Sequence, residues 1–436
     1  MEECPMCSRL MFAVFVAGVI AGAQTLDEAA TERAVANFSS ICDAQGKAIW
    51  GASLCGPIVV VNPRTRSSVA SQGDPDGKFI KRGDVWVGSL PASFDPANTA
   101  FDWGGRKWTM VMAPLPRDPF LQLALITHES FHRVQADLGL ASSDQPNAHL
   151  DTETGRVWMR LELRALARAL RAEHEQELRA AIADALTFRT RRYELHSGAR
   201  EREVSMERQE GLAEYTGFAI ALKDTGESTS RVARIVESFE DSDAYARSFA
   251  YVTGAALGLL LDRVSPGWHA RARSGGSMES LLIAAIRFQP SSPMTASTRY
   301  GFRAVAAAER DREARHQALL DSLTKRFVDG PTLALGPARN LNRAFNPNEL
   351  VPFGAHGTYY PTGTFRAKWG KLQVDSVGAV LSTDNMSVRV AAPSDPQGQT
   401  IKGPGWTLEL SPGWAIQATE KGFKAVETNA GSAARQ

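Results

Sequence analysis

Five residues, His128-Glu129-Ser130-Phe131-His132, constrain this chain more than any others. They end the apolar stretch that begins at Leu121, and they read His-Glu-x-x-His. On a helix, positions four apart lie one above the other on the same face. The two imidazoles can then bind one zinc ion, and Glu129, beside the first, can take a proton from an attacking water. The bare pattern is equally compatible with two buried histidines, so its surroundings decide. Asp118 and Pro119 make a helix start, with Asp as N-cap and Pro in the first turn. Gly139 makes a stop. The stripe Leu121, Ala124, Leu125 continues into His128 and His132. Both histidines therefore face the core, where a neutral imidazole needs a partner, and a metal supplies one.

The first residues read as an export signal. Arg9 precedes an apolar run from Leu10 to Ala23 that ends in the small residues Ala21-Gly22-Ala23. The run is short for a membrane span, and no Cys follows closely enough for a lipid anchor. Residues 1–23 are expected to be a signal peptide, with the mature chain starting near Gln24 and exported to the periplasm or beyond. Cys4 and Cys7 would leave with it. Cys42 and Cys55 remain, an even pair closing a short loop, which points to a disulfide in an oxidising compartment.

With 49 basic and 48 acidic residues the chain carries a formal charge of +1. That argues against nucleic acid as a partner and against a polybasic membrane surface. Past the signal, no stretch is apolar and long enough to span a bilayer. Helix is expected from Gln24 to Asn37. Short β-type runs follow at 58–61, 84–90, 99–103 and 107–112, separated by turn signals such as Asn62-Pro63 and Gly104-Gly105. A sheet backing a His-bearing helix suits a zinc peptidase, because its edge can pair with an extended peptide. Residues 153–223 read as helix, broken near Ser197-Gly198, and 164–180 look like a long solvated helix. Another helix, rich in small residues, covers 244–263, and helices continue to about Phe327. Alternating runs at 364–369, 379–383, 387–391 and 406–410 then indicate β structure. The fold class is thus α+β: a mostly helical domain with a small N-terminal sheet over 24–335, a small β domain over 345–428, and a disordered tail over 429–436.

A catalytic zinc takes three protein ligands and keeps one position open. The metzincin solution fails, since Gln135 and Leu138 occupy the positions where it needs Gly and His. A second helix carrying a carboxylate is the next place to look, and Gln209-Glu210-Gly211-Leu212-Ala213-Glu214-Tyr215 fits. Gly211 lets the backbone approach a neighbouring helix. Glu214, one turn after Glu210, can accept a hydrogen bond from the back nitrogen of a ligand His. Glu203, Glu207 and Glu214 fall on nearly the same face, so spacing alone leaves the choice among them open.

The His-Glu-x-x-His helix followed by Glu210-Gly211-Leu212-Ala213-Glu214-Tyr215 resembles the gluzincin metallopeptidases. The same string is similar to a group of exported bacterial proteins of this type. The resemblance covers two helices, about a fifth of the chain. It implies a zincin-like catalytic domain, Glu210 as third zinc ligand and Glu214 as the residue orienting a ligand His. Far more residues separate His132 from Glu210 than in thermolysin-like enzymes, which implies an insertion or lid. No exopeptidase signature of the Gly-x-Met-Glu-Asn type is visible.

Gluzincins add a Tyr or His beside the reacting carbonyl. Tyr251 is selected here because its helix can approach the core closely, with Tyr215 and His149 as alternatives. Trp103 and Trp108 are read as core or as cleft walls. The expected function is an exported zinc metallopeptidase: zinc held by His128, His132 and Glu210, Glu129 as general base, and zinc-activated water attacking a peptide or protein substrate. Two rivals are a non-catalytic zincin-like protein that binds peptide or cell-envelope material, and a zinc hydrolase of a non-peptide amide. Nothing in the sequence sets an oligomeric state.

Overall fold

A computed structural model describes residues 26–428 apart from 144, 243–244 and 347–348. The expected signal segment 1–23 and the expected disordered tail 429–436 lie outside the described residues. The fold is α+β, and the chain divides into two compact units, one ending at Glu309 and one beginning at Arg310.

The first unit opens with α1 (Glu28–Trp50), capped by the Asp27 side chain, which accepts the Ala30 N–H at 2.9 Å. Six strands follow: β1 (Ile58–Val61), β2 (Ser67–Ala70), β3 (Ile80–Arg82), β4 (Val85–Ser89), β5 (Thr99–Trp103) and β6 (Arg106–Met112). They form one sheet in the order β3-β4-β2-β1-β6-β5. Central β1 runs parallel to β6 and antiparallel to β2. All four residues of β1 are buried, as a strand covered on both faces requires. Ile58 and Val60 join the core shared with the helices, whereas Val59 and Val61 join a separate cluster with Trp103, Trp108 and Met110. The two tryptophans are therefore core on the sheet face turned away from the helices, not walls of a cleft.

Behind the sheet lie α2 (Pro119–Gln135), α3 (Glu153–Arg171), α4 (Glu175–Leu195), α5 (Ala199–Met206), α6 (Leu212–Thr225), α7 (Thr229–Phe239) and α8 (Tyr245–Val264). Shorter helices α9 (Trp268–Arg273), α10 (Met278–Ile286) and α11 (Pro293–Ser297) complete the unit, and α12 (Phe302–Thr324) runs across the division. The stretch read as one solvated helix over 164–180 is two. The chain leaves α3 at Ala172 in extended backbone, and Ala165, Leu166, Ala167, Ala169 and Leu170 are all buried. Strong α3 amphipathicity hides behind its arginines, whose long stems cover apolar surface while their heads find partners.

Two close crossings set the helix layers around α6. A β-carbon on Gly217 of α6 would lie 2.6 Å from the Ala124 carbonyl of α2. One on Gly254 of α8 would lie 2.2 Å from the α-carbon of Gly211. Backbone meets backbone at both points, so α6 is held tightly between α2 and α8.

The second unit carries β7 (Thr332–Leu335), β8 (Asn342–Ala344), β9 (Val351–Pro352), β10 (Thr358–Tyr360), β11 (Gly363–Ala367), β12 (Gly370–Val374), β13 (Ala379–Leu381), β14 (Val388–Ala391), β15 (Thr400–Gly403), β16 (Trp406–Leu410), β17 (Trp414–Thr419) and β18 (Gly422–Glu427). They form a sheet β17-β18-β7-β14-β13-β10-β9 and a second sheet β15-β16-β12-β11-β8. One core, including Leu333, Val390, Phe365, Leu372 and Leu408, draws on both sheets. Strand β7 lies inside the range assigned by sequence to the helical domain. It pairs with β14 and β18, so it belongs to the β unit.

Candidate metal centre

The Asp118 side chain starts α2 by accepting the Leu121 N–H at 3.0 Å, with Pro119 in the first turn. Phe120, Leu123, Ile126 and Phe131 anchor the helix in the core, and the same packing buries His128 and Glu129. The far end of α2 is held by Arg133, whose guanidinium donates to the carbonyls of Leu54 (2.9 Å) and Cys55. Those carbonyls belong to the loop that the Cys42–Cys55 disulfide closes. Gly56 makes room for the guanidinium, since a β-carbon there would lie 2.3 Å from its central carbon.

The carboxylate that reaches α2 comes from a π turn. Residues Glu207–Gly211 form one wide turn between α5 and α6, and the N–H of Leu212 bonds back to the Glu207 carbonyl. Such a turn inserts an extra residue and shifts the register of whatever follows. The four glutamates thus part company. Glu203 accepts two bonds from Arg192 at 2.6 and 2.7 Å, and Glu207 accepts two from Arg189 at 2.6 and 2.7 Å. Glu162 bridges the two arginines, and the whole cluster is buried. Glu203 and Glu207 are therefore charge partners of a buried arginine pair. Glu210 and Glu214 turn to α2.

His128 Nε2 lies 3.4 Å and His132 Nε2 3.3 Å from Glu210 Oε2, and the two nitrogens are 3.0 Å apart. Donor atoms about 2.0–2.1 Å from a tetrahedral ion stand about 3.3–3.4 Å from one another. The three atoms therefore trace one face of a tetrahedron, leaving a fourth corner for a reactant.

Hydrogen-bond partners fix the tautomers. His128 Nδ1 is 2.8 Å from Glu214 Oε2, an acceptor, so Nδ1 carries the hydrogen. His132 Nδ1 is 2.8 Å from Gln135 Oε1. That amide is oriented by its nitrogen, which donates to the carbonyls of Arg208 and Gln209, both at 2.9 Å. Both Nε2 lone pairs consequently converge on the Glu210 carboxylate. Three electron-rich atoms this close need a cation among them. Burial opposes charge on His128, but the carboxylates of Glu210 and Glu214 outweigh it and raise its pKa to about 10. Burial likewise opposes charge on Glu210, yet the two imidazoles hold its pKa far below the usual carboxylate range. A single proton links only two of the three atoms; a metal ion satisfies all three. The residues fit a divalent ion that accepts nitrogen and oxygen donors.

Glu129 is 3 % exposed. Its pKa is raised, first by burial, with the imidazoles of His128 and His132 pulling it back and Glu210 and Glu214 adding to the rise. A carboxylate whose pKa is raised in this way is suited to moving a proton. Tyr251 stacks on His128, with ring centres 5.6 Å apart and planes 22° from parallel, and its hydroxyl interacts with Glu210. Burial and the Glu210 charge push its pKa well up, keeping the hydroxyl protonated as a donor.

The alternatives lie elsewhere. The Tyr215 hydroxyl is bonded to Asp262 (2.9 Å) and to His269 (2.7 Å). His149 is bonded to Glu203 at 2.6 Å, inside the arginine cluster. Gln135 is the site residue that sequence reasoning missed. It was weighed only as a position lacking a metzincin glycine, although its place three residues after His132 on one helix face marks it as a neighbour.

Comparisons with protein-family models, with curated proteins and with solved structures find no match for this chain. Among the described residues, one group of His, Cys, Asp and Glu side chains is arranged to hold a metal ion: His128, His132 and Glu210. No described helix is long and apolar enough to cross a membrane.

Proposed function

We propose that this protein is an exported zinc metallopeptidase of the gluzincin type. The observation that carries the reading is the set of three donor atoms 3.0–3.4 Å apart with their lone pairs turned inward, next to a buried carboxyl of raised pKa. Two imidazoles and one carboxylate are the donor set of a catalytic rather than a structural zinc. A zinc ion held there would polarise water and an amide carbonyl. Glu129 takes the proton from the attacking water and passes it to the departing amine. Glu214 and Gln135 keep the imidazoles aimed. Tyr251 donates its hydroxyl to the oxygen that becomes negative as the carbonyl is attacked.

Export is supported by the apolar leader in the sequence and by the Cys42–Cys55 bridge, a feature of oxidising compartments. An intact Glu129 favours catalysis over mere binding, because a binding protein has no use for a buried base. Metal analysis of the purified chain together with an unbiased peptide-library digest tests the proposal. About one zinc per chain and cleavage that a chelator stops are expected. Zinc without cleavage of any peptide would move the reading to a non-peptide amide or to a binding role. No bound metal would remove it.

A further inference from the structure

Gln135 uses the two ends of its side chain on two different metal-bearing elements. Its oxygen accepts from His132 Nδ1 at 2.8 Å. Its nitrogen donates at 2.9 Å to the carbonyls of Arg208 and of Gln209, both inside the π turn that presents Glu210. The residue is 2 % exposed, so neither end has water as a substitute.

A π turn is wider than an α turn and lets a side chain reach into its carbonyl ladder. It is also the less favoured geometry, and it persists where its surroundings over-determine it. Here the surroundings are the end of α2 and the loop after it. Besides Gln135, the Gly139 carbonyl accepts from Arg208 at 2.8 Å and the Ser142 N–H donates to the Gln209 side chain at 3.1 Å. Segment 135–142 thus grips residues 208 and 209 at several points, immediately before Glu210. Gln135 is the member of that grip that also touches a ligand histidine.

We propose that Gln135 is a positioning residue that sets both the tautomer of His132 and the register of Glu210. Its oxygen half serves the imidazole. Its nitrogen half locks the π turn, so that Glu210 reaches the metal only while that amide is in place. This rests on the metal-centre reading above.

The two halves can be separated by substitution. Gln135→Glu keeps an acceptor for His132 but has no donor for the two carbonyls. Gln135→Met, of similar size, keeps neither. A residue that acts only through His132 would leave the Glu variant with native zinc affinity, since carboxylates are common partners of ligand histidines. The proposal instead expects both variants to lose about 10–100-fold in zinc affinity. It also expects the visible spectrum of the cobalt-substituted Glu variant to depart from the wild-type spectrum, as the loss of one carboxylate ligand requires. Native affinity and a native cobalt spectrum in Gln135→Glu would overturn it. If neither variant folds, a crystal structure of the zinc-loaded wild type decides: a Gln135 amide out of reach of the Arg208 and Gln209 carbonyls overturns the proposal, and the paired geometry upholds it. Absence of zinc binding by the wild type would instead strike the metal-centre reading itself, and this inference would fall with it.

Discussion

Glu214 accepts the Nδ1 hydrogen of His128 at 2.8 Å, and in doing so turns the Nε2 lone pair of that imidazole toward Glu210. The two carboxylates lie one helical turn apart, yet they act on opposite nitrogens of one ring. One is placed to share a metal with it, and the other decides which way it faces.

The first consequence concerns the four glutamates. Glu210→Ala should nearly eliminate zinc binding, and Glu214→Ala should weaken it about 10–100-fold. Glu203→Ala and Glu207→Ala should leave zinc affinity near native in whatever protein folds. Their cost falls on stability, about 3–5 kcal/mol each, because each takes away the two-bond carboxylate partner of a buried arginine and leaves Glu162 to serve both. Zinc titrations and denaturant unfolding of the four variants separate the two kinds of loss. A metal-specific defect in Glu207→Ala would mean that the π turn is misregistered.

Removing either imidazole should abolish binding. His128→Ala and His132→Ala are expected to hold no zinc after dialysis, as read by elemental analysis. Full retention in the double variant would end the metal assignment.

Glu129→Gln preserves shape and should keep the metal while turnover falls about 10²–10⁴-fold, the usual contribution of a general base. Tyr251→Phe should also keep the metal and lose about 10²–10³-fold in turnover, as a missing oxyanion donor does. Equal turnover in either variant and wild type would take that residue out of the chemistry.

A separate site predicts an acid limb in stability. Burial lowers the pKa of His269 to about 4, below its ordinary value of 6.5. It sits against Trp50 and Trp268, 2.7 Å from the Tyr215 hydroxyl and 3.8 Å from Asp262. Between those two pH values the unfolded chain binds the extra proton and the folded chain does not, so stability falls as pH drops from about 6.5 toward 4. Thermal unfolding across that window should show a flatter decline in His269→Gln than in wild type. Parallel declines would show that His269 is not the group responsible.

Much of this was legible in the sequence where short-range rules apply. Asp118 and Pro119 announce α2, and the capping bond is there. The alternating or continuous apolar runs locate β1, β5 and β16 to the residue. Strands β2 and β3 were not foreseen: Ser67–Ala70 is buried from Ser68 on but opens with two serines that hide this in the sequence, and Ile80–Arg82 is exposed throughout. The break after α3 went unseen because Ala172-Glu173-His174 contains neither Gly nor Pro. The glutamate face was misjudged for a different reason. Counting by three and four assumes an unbroken α-helix, and the π turn at Glu207–Gly211 breaks that count between Glu207 and Glu210. Nothing local marks the turn. It is stabilised from outside, by Gln135 and the loop that follows it, and by a buried arginine pair whose partners lie far off in sequence.

The glycine crossing bears on how this centre tolerates change. Gly211 and Gly254 leave no volume for a β-carbon on either side, and Gly211 closes the π turn that carries Glu210. In a saturation scan these two chemically silent positions should therefore be as intolerant as the histidines, with Gly254→Ala alone enough to push Glu210 out of reach. Any attempt to transplant the centre into another scaffold would have to carry the pair of glycines along with the ligands.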